Sequence, residues 1–537
     1  VGIIADNRAE WAITAFAAYG LGARFVPMYE KELRHVWRHI IQDSGIRVLF
    51  AANDQVRRAV EGFRTEVPAL EHLLFIDGPS GPAAGKGSMA ALEKRGASRP
   101  VPAVRPAPQD AAALIYTSGT TGSPKGVVLT HGNFTSNILA GFKRYPHLNA
   151  GDRSLSILPW AHSFGQTAEL YLFAMLGGSI AFIGGTATIA SDMALARPTF
   201  LFGVPRVFNR IYNALWQEVH RRGGLARRLF TMGVAAAETR RRLAAKGAAP
   251  PLWTRTKLMV AERLVFRKIR RKLGGRLHGA ISGSATMNVE IGHFFADIGI
   301  PVYDCYGLTE TSPAVTMNGP SANRPGSVGR PLDKVRVVID RDFGSDAAAD
   351  GEIIVYGPNV MKGYHNLPEA TAAAFTSDGG LRTGDRGRLD PDGYLFITGR
   401  IKEQYKLDNG KYVFPAAIEE EIKLLPWVLN AMIYGEGRPC NVCLMAGDAS
   451  VYRAWRLRQT GAPGSRALPP ELTPESAARA VAGFLHGKFG DYEIPRHLIL
   501  LDEDFSLENG MLTQTMKLKR RAVLDRYRER IEAAYEG

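Results

Sequence analysis

A run of eleven residues, YTSGTTGSPKG from Tyr116 to Gly126, combines hydroxyls, glycines and a lysine in a pattern suited to binding phosphate. Glycines allow the backbone to approach a ligand closely, hydroxyls can donate hydrogen bonds to phosphate oxygens, and Lys125 adds a positive charge. The residues expected to contact phosphate are Thr117, Ser118, Gly119, Thr120, Thr121, Gly122 and Lys125. The run therefore predicts a binding site for a nucleotide triphosphate.

Two strands are expected to position this loop. The apolar residues Ala111 to Ile115 predict a buried strand that enters it, and Val127 to Leu129 predict a strand that leaves it. The loop is not a Walker A sequence, which has four residues between its glycines and a Lys-Ser or Lys-Thr pair directly after the second. An ordinary surface loop rich in serine, threonine and glycine is the alternative, but so many phosphate-binding groups together favour the nucleotide site.

The loop resembles the signature loop of the AMP-forming adenylate-forming enzymes, which include acyl-CoA synthetases, luciferases and the adenylation domains of peptide synthetases. A second run, YDCYGLTET from Tyr303 to Thr311, is similar to the adenine-binding motif of that family. The resemblance implies that Tyr306 and Gly307 contact adenine, with the tyrosine stacked on the base. It also implies that Thr309 reaches the α-phosphate and that Glu310 binds Mg²⁺. A flat aromatic ring and a hard carboxylate suit these two roles.

A third run, from Thr383 to Pro415, resembles the ribose-binding and hinge region of the family. The resemblance implies that Asp385 accepts hydrogen bonds from the ribose hydroxyls and that Arg400 supports the sugar or the phosphates. It places the hinge at Lys402 and a coenzyme A contact at Gly410. Within the run, the residues DPDG at 390–393 predict only a turn.

Near the end of the chain, Met511 to Leu524 resembles the segment that carries the catalytic lysine of the family. The match assigns this role to Lys517, with Lys519 as its rival. The local sequence differs from the usual family pattern because Thr515 and Met516 precede the lysine. A solvated basic face at the start of a terminal helix is the alternative interpretation.

Two further segments are expected to surround the acyl group. The run LPWAHSFGQTAEL, residues 158–170, resembles the family segment that lines the acyl pocket and implies that His162 lies beside the reacting carboxylate. A hydrogen-bonded core histidine is the alternative for that residue. The run SGSAT at 282–286 resembles the family's strand end of small residues, which implies that Ser282, Gly283 and Ser284 pack against adenine and the acyl chain. Small side chains there would leave space for these ligands.

Length, cysteine content and the resemblance together predict the domain organisation. A chain of 537 residues is too long for one core. We expect a large α/β body over residues 1–400, which binds AMP and the acyl group, and a small mobile α+β domain over 401–537. We also expect natural residues upstream of Val1, because the sequence opens inside an apolar stretch. The three cysteines form no disulfide or zinc pattern, which favours a reducing, cytoplasmic location.

The net charge of +15 is concentrated in one insert, residues 205–276. This insert has 19 lysines and arginines and 3 glutamates, an excess of 16 positive charges, so the remaining chain carries an excess of one negative charge. Apolar residues at helical spacing predict basic amphipathic helices there: Leu225, Leu229, Phe230, Leu264, Val265, Phe266, Ile269 and Leu273. A solvated face and a peripheral contact with the inner face of an anionic membrane are equally favoured, whereas nucleic acid is not expected.

The resemblance covers nearly the whole chain and is closest to the long-chain acyl-CoA synthetases. It implies that a fatty acid reacts with ATP, in the presence of Mg²⁺, to give an acyl-adenylate and pyrophosphate. Coenzyme A then takes the acyl group and AMP leaves. A fatty acyl-AMP ligase that hands its adenylate to a carrier protein is the alternative enzyme. A non-catalytic, basic membrane-binding protein is the alternative outside enzymes.

Overall fold

The structure is a computed structural model of the 537-residue chain. It describes all residues except 78–86, 118–123, 186–187, 286, 342–349, 402, 457–468, 507, 514–517 and 537, and it does not describe the side chains of residues 220, 222 and 454. Lys402 and Lys517 therefore lie outside the described residues, as do the loop residues Ser118, Gly119, Thr120, Thr121 and Gly122.

The chain divides into two compact units. Unit 1 consists of Val1–Val338, Ile354–Thr383 and Leu389–Phe396. Unit 2 consists of Ile339–Ile353, Gly384–Arg388 and Ile397–Gly537. Each unit is built from several segments of the chain, so both combine strands and helices that are distant in sequence.

The helices are distributed along the whole chain. They are α1 Ala9–Gly20, α2 Arg34–Ser44, α3 Asp54–Val60, α4 Phe63–Glu66, α5 Met89–Ser98, α6 His131–Arg144, α7 Leu172–Leu176, α8 Ile189–Ala196, α9 Pro205–Arg222, α10 Gly224–Ala244, α11 Leu252–Ala261, α12 Arg267–Lys272, α13 Val289–Asp297, α14 Pro368–Ala374, α15 Pro415–Ile422, α16 Ala449–Arg456, α17 Pro474–Leu485 and α18 Arg520–Glu536. Two π-helical segments, Gly165–Tyr171 and Glu262–Phe266, and a short 3₁₀ turn, Thr309–Thr311, complete the set.

The strands alternate with these helices. They are β1 Gly2–Ile4, β2 Val26–Met28, β3 Val48–Ala51, β4 His72–Phe75, β5 Ala111–Thr117, β6 Lys125–Thr130, β7 Arg153–Ser156, β8 Ser179–Phe182, β9 Phe200–Gly203, β10 Gly279–Ser282, β11 Val302–Gly307, β12 Ala314–Met317, β13 Arg330–Pro331, β14 Arg336–Asp340, β15 Gly351–Tyr356, β16 Gly363–Tyr364, β17 Leu381–Leu389, β18 Leu395–Arg400, β19 Tyr405–Lys406, β20 Tyr412–Val413, β21 Val428–Tyr434, β22 Val442–Gly447 and β23 His497–Leu501.

Unit 1 contains three sheets that lie entirely within it. The first, in the order β2-β1-β3-β4, is parallel throughout. The second has the order β13-β12-β11-β10-β9-β7-β8 and is parallel from β8 to β11, whereas β12 and β13 are antiparallel. The third, β16-β6-β5, is antiparallel. Because β10 and β11 are parallel neighbours, their carboxyl ends lie at the same edge of the sheet.

The remaining sheets include the strands of unit 2. One of them has the strand order β14-β15-β17-β18. Within unit 2, β19 and β20 form a hairpin, and β21-β22-β23 form a mixed sheet in which β22 is antiparallel to β21 and parallel to β23.

Each unit has its own buried aromatic core. In unit 1 the ring of Trp11 packs edge-on against Phe25 and Trp160, at centroid distances of 4.9 and 5.6 Å. In unit 2 Trp427 packs edge-on against Tyr452 at 5.1 Å. Such aromatic pairs contribute beyond the area they bury, by roughly 0.5–1.5 kcal/mol. The two units therefore have separate hydrophobic anchors.

A capping box fixes the corner between β6 and α6, just beyond the predicted phosphate loop. The backbone N–H of Asn133 donates to the hydroxyl of Thr130 at 3.1 Å, and the Thr130 N–H donates to the side-chain oxygen of Asn133 at 2.8 Å. The Asn133 amide also donates to the carbonyl of Val360 at 2.8 Å. These bonds tie β6 to the segment that leads into β16.

Candidate active site

Strands β5 and β6 hold the two ends of the predicted phosphate loop. Thr117 at the end of β5 pairs with Lys125 at the start of β6 in an antiparallel register. The strands expected on both sides of the loop are therefore confirmed. The loop residues 118–123 lie outside the described residues, and their phosphate contacts stay predictions.

Lys125 and Glu310 both contact the same tyrosine. The Lys125 ammonium lies 5.3 Å from the ring centroid of Tyr364, and the Tyr364 hydroxyl donates to Glu310 Oε1 at 2.9 Å. Tyr364 lies in β16, which pairs with β6 so that Tyr364 is opposite Val127. The structure thus brings together a lysine and a carboxylate that are distant in sequence.

Tyr364 is a site residue that the sequence reasoning missed. Burial raises the pKa of its phenol above the ordinary value, and the charge of Glu310 raises it further. The hydroxyl therefore stays neutral at physiological pH and remains a hydrogen-bond donor. Nothing in the sequence distinguishes Tyr364 from the other tyrosines, because its strand is only two residues long.

Thr309 and Ser163 connect two of the predicted motifs. Their hydroxyl oxygens lie 3.3 Å apart, and both side chains are buried. Thr309 opens the 3₁₀ turn after β11, and Ser163 directly follows His162. The segment expected to bind the acyl group and the segment expected to bind the α-phosphate are therefore in contact.

Tyr306 and Gly307 form the end of β11. Tyr306 is half-buried and pairs with Thr316 in β12. A Cβ atom at Gly307 would lie 1.9 Å from the carbonyl oxygen of Pro313, a distance that no side chain tolerates. Only glycine fits at position 307, because it lets the backbone at Pro313 approach closely.

Ser282, Gly283 and Ser284 lie at the carboxyl end of β10, as expected from their sequence. A Cβ atom at Gly283 would lie 2.8 Å from the Phe164 ring and 3.0 Å from Cys305 Sγ. Ser284 has a left-handed backbone with φ of 71°. Packing against protein atoms therefore gives a reason for glycine at 283, in addition to the ligand space inferred from the sequence.

Asp304 is a buried carboxyl group at the same sheet edge, and the sequence reasoning did not select it. It pairs with Ser282 across β10 and β11. Its Oδ1 has no hydrogen-bond partner among the described residues, and burial raises its pKa well above the ordinary value.

His162 lies in a segment that a buried carboxylate holds in place. The Phe164 N–H donates to His162 Nδ1 at 3.2 Å. Glu169, further along the same segment, accepts hydrogen bonds from Ser154, from Ser156 at 2.6 Å and from the Trp160 indole at 3.0 Å. The bond between Trp160 and Glu169 joins the chain on the two sides of His162.

Glu169 belongs to the π-helical segment Gly165–Tyr171 and is fully buried. Burial raises the pKa of its carboxyl group above the ordinary value. Asn7 completes the arrangement, because its amide donates to the carbonyl of Leu158 at 2.6 Å and its oxygen accepts from the Trp160 N–H at 2.7 Å. π-Helical segments occur frequently at functional sites.

Asp385 and Arg400 lie together in unit 2. Arg400 Nε is 3.0 Å from Asp385 Oδ1, and the Asp385 side chain is 6% exposed whereas that of Arg400 is 41% exposed. They come from β17 and β18, the third and fourth strands of their sheet. The two residues that the sequence assigned to the ribose region are therefore an ion pair.

Gly410 lies in the turn between β19 and β20. Its φ is 81°, and the turn is closed by a hydrogen bond from Leu407 N–H to the Lys411 carbonyl at 3.0 Å. No heavy atom lies within 4 Å of the position that its Cβ would occupy. Glycine is needed there for its backbone conformation rather than for space.

Arg520 anchors the segment that follows the predicted catalytic lysine. Its side chain is 21% exposed, and it forms ion pairs with Glu419 at 2.6 Å and Glu403 at 3.7 Å. Burial alone would lower its pKa, but these two carboxylates raise it. Lys402 and Lys517 lie outside the described residues, so the hinge and the catalytic lysine stay predictions.

The basic insert consists of helices, as expected, and its apolar residues divide into two groups. Buried residues such as Phe230, Phe266, Ile269 and Leu273 face the interior of unit 1. Leu225 and Leu264 are exposed, and Leu229 and Val265 are half-buried. Interior packing therefore accounts for only part of the amphipathic pattern.

Across the described ranges, three absences can be stated. No cluster of three or more metal-ligating side chains is present. No helix there has the length and apolar character needed to cross a membrane. The three cysteines are buried and unpaired.

A profile of the family described as "AMP-binding enzyme" matches residues 1–365. The chain belongs to this family. Four sequence motifs predict an AMP-binding enzyme, and that prediction is confirmed.

Two relatives match this AMP-binding enzyme along its whole length. The chain is 35% identical over 550 residues to "Long-chain-fatty-acid--CoA ligase FadD15" of Mycobacterium bovis, with 100% of this chain and 88% of the relative covered. It is 31% identical over 558 residues to "Long chain acyl-CoA synthetase 6, peroxisomal" of Arabidopsis thaliana, with 100% and 78% covered.

Solved structures confirm the fold class. ATP-bound MatB from Rhodopseudomonas palustris aligns with a TM-score of 0.69 and 23% identity, covering 98% of this chain and 88% of that one. The A domain of carboxylic acid reductase from Segniliparus rugosus, in complex with AMP and a carboxylic acid, aligns with a TM-score of 0.72 and 22% identity, covering 100% and 82%. The AMP-binding enzyme therefore has the α/β fold expected for the family.

Proposed function

We propose that this enzyme activates a long-chain fatty acid with ATP and transfers the acyl group to coenzyme A, releasing AMP and pyrophosphate. The contact between Ser163 and Thr309 carries the proposal, because it joins the acyl segment to the phosphate segment within one unit. The full-length relatives are long-chain fatty acid–CoA ligases, and the expected class of enzyme, an AMP-forming ligase, is confirmed.

The phosphate roles follow from the charges around Tyr364. Lys125 and Thr117 stand at the two ends of the loop and would hold the β- and γ-phosphates together with Ser118 to Gly122. Thr309 would donate its hydroxyl to the α-phosphate. His162, one residue from Ser163, would lie beside the fatty carboxylate that attacks this phosphate. Positioning and charge stabilisation of this kind supply most of the catalysis in phosphoryl chemistry.

Glu310 fits a magnesium site. Magnesium is usually bound by one or two carboxylates together with the phosphates of the substrate, so a single protein carboxylate suffices. The Tyr364 hydroxyl occupies Glu310 Oε1 and orients the carboxylate, which leaves its second oxygen for the cation. When bound, Mg²⁺ would offset negative charge on the phosphates of ATP.

The nucleoside roles are divided between the two sets of residues described above. Tyr306 would stack on adenine, and Ser282, Gly283, Ser284 and Gly307 would border the base. Asp385 would accept hydrogen bonds from the ribose hydroxyls, while the ion pair with Arg400 holds the carboxylate in place. These assignments use ordinary stacking and hydrogen-bond chemistry.

Two half-reactions require two sets of groups. Lys517 would stabilise the charge that develops at the α-phosphate during adenylate formation. Rotation of the C-terminal domain, residues 401–537, about Lys402 would then withdraw Lys517 and bring the Gly410 turn to the acyl-adenylate. The thiol of coenzyme A would attack the acyl carbonyl, the carbon–oxygen bond to AMP would break, and AMP would leave with its electron pair.

Pyrophosphate release across saturated acids of increasing length tests this function. Each buried methylene contributes about 0.8 kcal/mol, so kcat/KM should rise about fourfold per methylene until the pocket is full. AMP release should require coenzyme A. Steady AMP release without coenzyme A, or transfer only to a carrier protein, would instead identify an acyl-AMP ligase.

We also propose a cytoplasmic location with a peripheral membrane contact through the basic insert. The buried, unpaired cysteines support a reducing compartment. The insert carries an excess of 16 positive charges, and a basic surface is attracted to anionic lipid by about 1 kcal/mol per charge near the membrane. The substrate of a long-chain ligase also partitions into membranes.

A further inference from the structure

The outer surface of α11, of the π-helical turn after it and of the start of α12 combines exposed apolar and basic side chains. Leu252 is 79% exposed, Trp253 56% and Met259 71%. The exposed basic residues among them are Arg255, Lys257, Arg263, Arg267 and Lys268. We call this set of eight residues, together with the exposed Leu264, the outer face.

The inner side of the same helix is already packed. Helix α11 lies against α10, where a Cβ at Gly233 would be 2.6 Å from Ala261 Cβ and 3.1 Å from the Phe266 ring. Phe230 packs edge-on against Trp216 at 4.7 Å on the same side. The inner side alone provides the packing against the core. Core packing therefore does not explain the large apolar residues on the outer face.

Charge on the outer face is almost entirely positive. Glu262 is the acidic residue within Leu252–Lys268, and it forms an ion pair with Arg270. The Lys257 ammonium lies 4.5 Å from the Trp253 ring centroid, so a cation and an aromatic ring share one position on the surface. Long basic side chains beside Trp and Leu are the composition that settles at a lipid headgroup boundary.

We propose that the outer face docks on an anionic lipid bilayer, with Leu252, Trp253 and Met259 entering the headgroup–acyl boundary. Arg255, Lys257 and Arg263 would contact lipid phosphates. This proposal rests on the peripheral membrane contact stated above and assigns the surface that makes it. A nucleic acid would use the cations but would gain little from exposed leucine and methionine, which favours lipid.

Sedimentation of the full chain with vesicles tests the docking surface. The wild type should bind phosphatidylcholine–phosphatidylglycerol vesicles, bind pure phosphatidylcholine far less, and be released by salt. The double variant Leu252→Glu/Met259→Glu should bind the anionic vesicles about tenfold or more weakly. The two apolar side chains that would enter the lipid are replaced by negative charges, which anionic lipid repels. Val101→Glu/Leu33→Glu adds the same charge at exposed apolar sites outside the insert and should bind within about twofold of wild type.

Each outcome separates the surface from the activity. Both variants should keep wild-type pyrophosphate release with a water-soluble acid, which shows that they fold and that the proposed function is intact. Equal vesicle binding by the Leu252→Glu/Met259→Glu variant and the wild type would overturn the outer face while leaving a membrane contact. Absence of wild-type binding to anionic vesicles, or tighter binding to duplex DNA that these two changes do not alter, would overturn the docking proposal altogether.

Discussion

Tyr364 contacts both Lys125 and Glu310. Its ring contacts the lysine and its hydroxyl contacts the carboxylate, so one side chain sets the geometry of both charges. Loss of a buried hydrogen bond to a charged group typically costs about 1.5–3 kcal/mol of free energy. The hydroxyl is therefore expected to affect ATP and magnesium binding more than folding.

Tyr364→Phe should raise the KM for ATP about tenfold, because Glu310 loses its orienting hydrogen bond while the ring over Lys125 remains. Initial-rate kinetics at several magnesium concentrations measure the change. Tyr356→Phe is the matched control, since its hydroxyl donates to Asp378 at 2.8 Å near the surface. An equal effect of both substitutions would show that the loss is not specific to the phosphate site.

Lys517→Ala should lower the rate of adenylate formation by about 10²–10³-fold, the usual loss when one group that stabilises transition-state charge is removed. Thioester formation from a supplied acyl-adenylate should stay near the wild-type rate. Lys519→Ala, two residues away, is the control and should leave both half-reactions intact. Equal loss of both half-reactions in Lys517→Ala would rule out the assigned role.

At the scale of elements, the π-helical segment and β7 are joined through one buried carboxylate. Glu169 receives hydrogen bonds from two serines of β7 and from Trp160, and so positions the chain around His162. The strands beside the phosphate loop could be predicted because a run of apolar residues marks them. This network could not, because hydrogen-bond partners are set by tertiary packing and leave no local periodicity.

Glu169→Gln should destabilise the protein by about 1–3 kcal/mol at acid pH, because the amide brings two N–H donors among three donating groups, where the protonated carboxyl group has one O–H. The pKa of Glu169 is raised in the folded state, so the folded protein binds its proton more tightly than the unfolded chain does. The contribution of this carboxyl to stability is therefore present below its unfolded pKa and falls as pH rises through the folded pKa. The penalty of the substitution should shrink with increasing pH.

Thermal unfolding over a pH series measures this trend. Glu10→Gln is a control of opposite sign, because hydrogen bonding to Arg8 lowers the pKa of Glu10 and its stabilisation is lost as pH falls. A Glu169→Gln penalty that grows with pH would show that the carboxylate is stabilised in its ionised form.

Helix packing in the insert gives a second prediction at this scale. Gly233→Ala should destabilise the protein by about 1–3 kcal/mol, since the new methyl group would lie 2.6 Å from the rigid Ala261 Cβ. Gly141→Ala in α6, where no heavy atom lies within 4 Å of the new methyl group, should stabilise it by about 0.5–1 kcal/mol. Chemical denaturation compares the two, and a Gly233→Ala variant as stable as the wild type would contradict the close approach of α10 and α11.

At the scale of the whole molecule, sequence motifs located most of the candidate site but not its connections. Motif residues such as Thr309, Glu310 and Asp385 could be selected because their types suit a particular ligand. Ser163 and Tyr364, the partners of Thr309 and Glu310, could not be paired with them from one sequence, because 146 residues separate Ser163 from Thr309 and 54 separate Glu310 from Tyr364. Contacts over such distances depend on how the sheets of unit 1 are assembled.

Charge is also organised at this scale. The insert carries the whole positive excess, and the rest of the chain is nearly neutral. Half of its selected apolar residues are buried and the others are exposed or half-buried, so a single amphipathic pattern serves both the core and the surface. The sequence alone left the solvated face and the membrane contact equally favoured, and exposure of Leu252, Trp253 and Met259 favours the membrane.

The hydroxyls of Ser163 and Thr309 are 3.3 Å apart, so the binding sites for the fatty acid and the nucleotide would be in direct contact. Two ligands that press on one contact are expected to influence each other's affinity, and such coupling is reciprocal. ATP analogues should therefore tighten or weaken the binding of a fatty acid by the same factor by which the acid changes their own binding. Calorimetric titrations in both orders measure that factor, and Ser163→Ala should bring it closer to one.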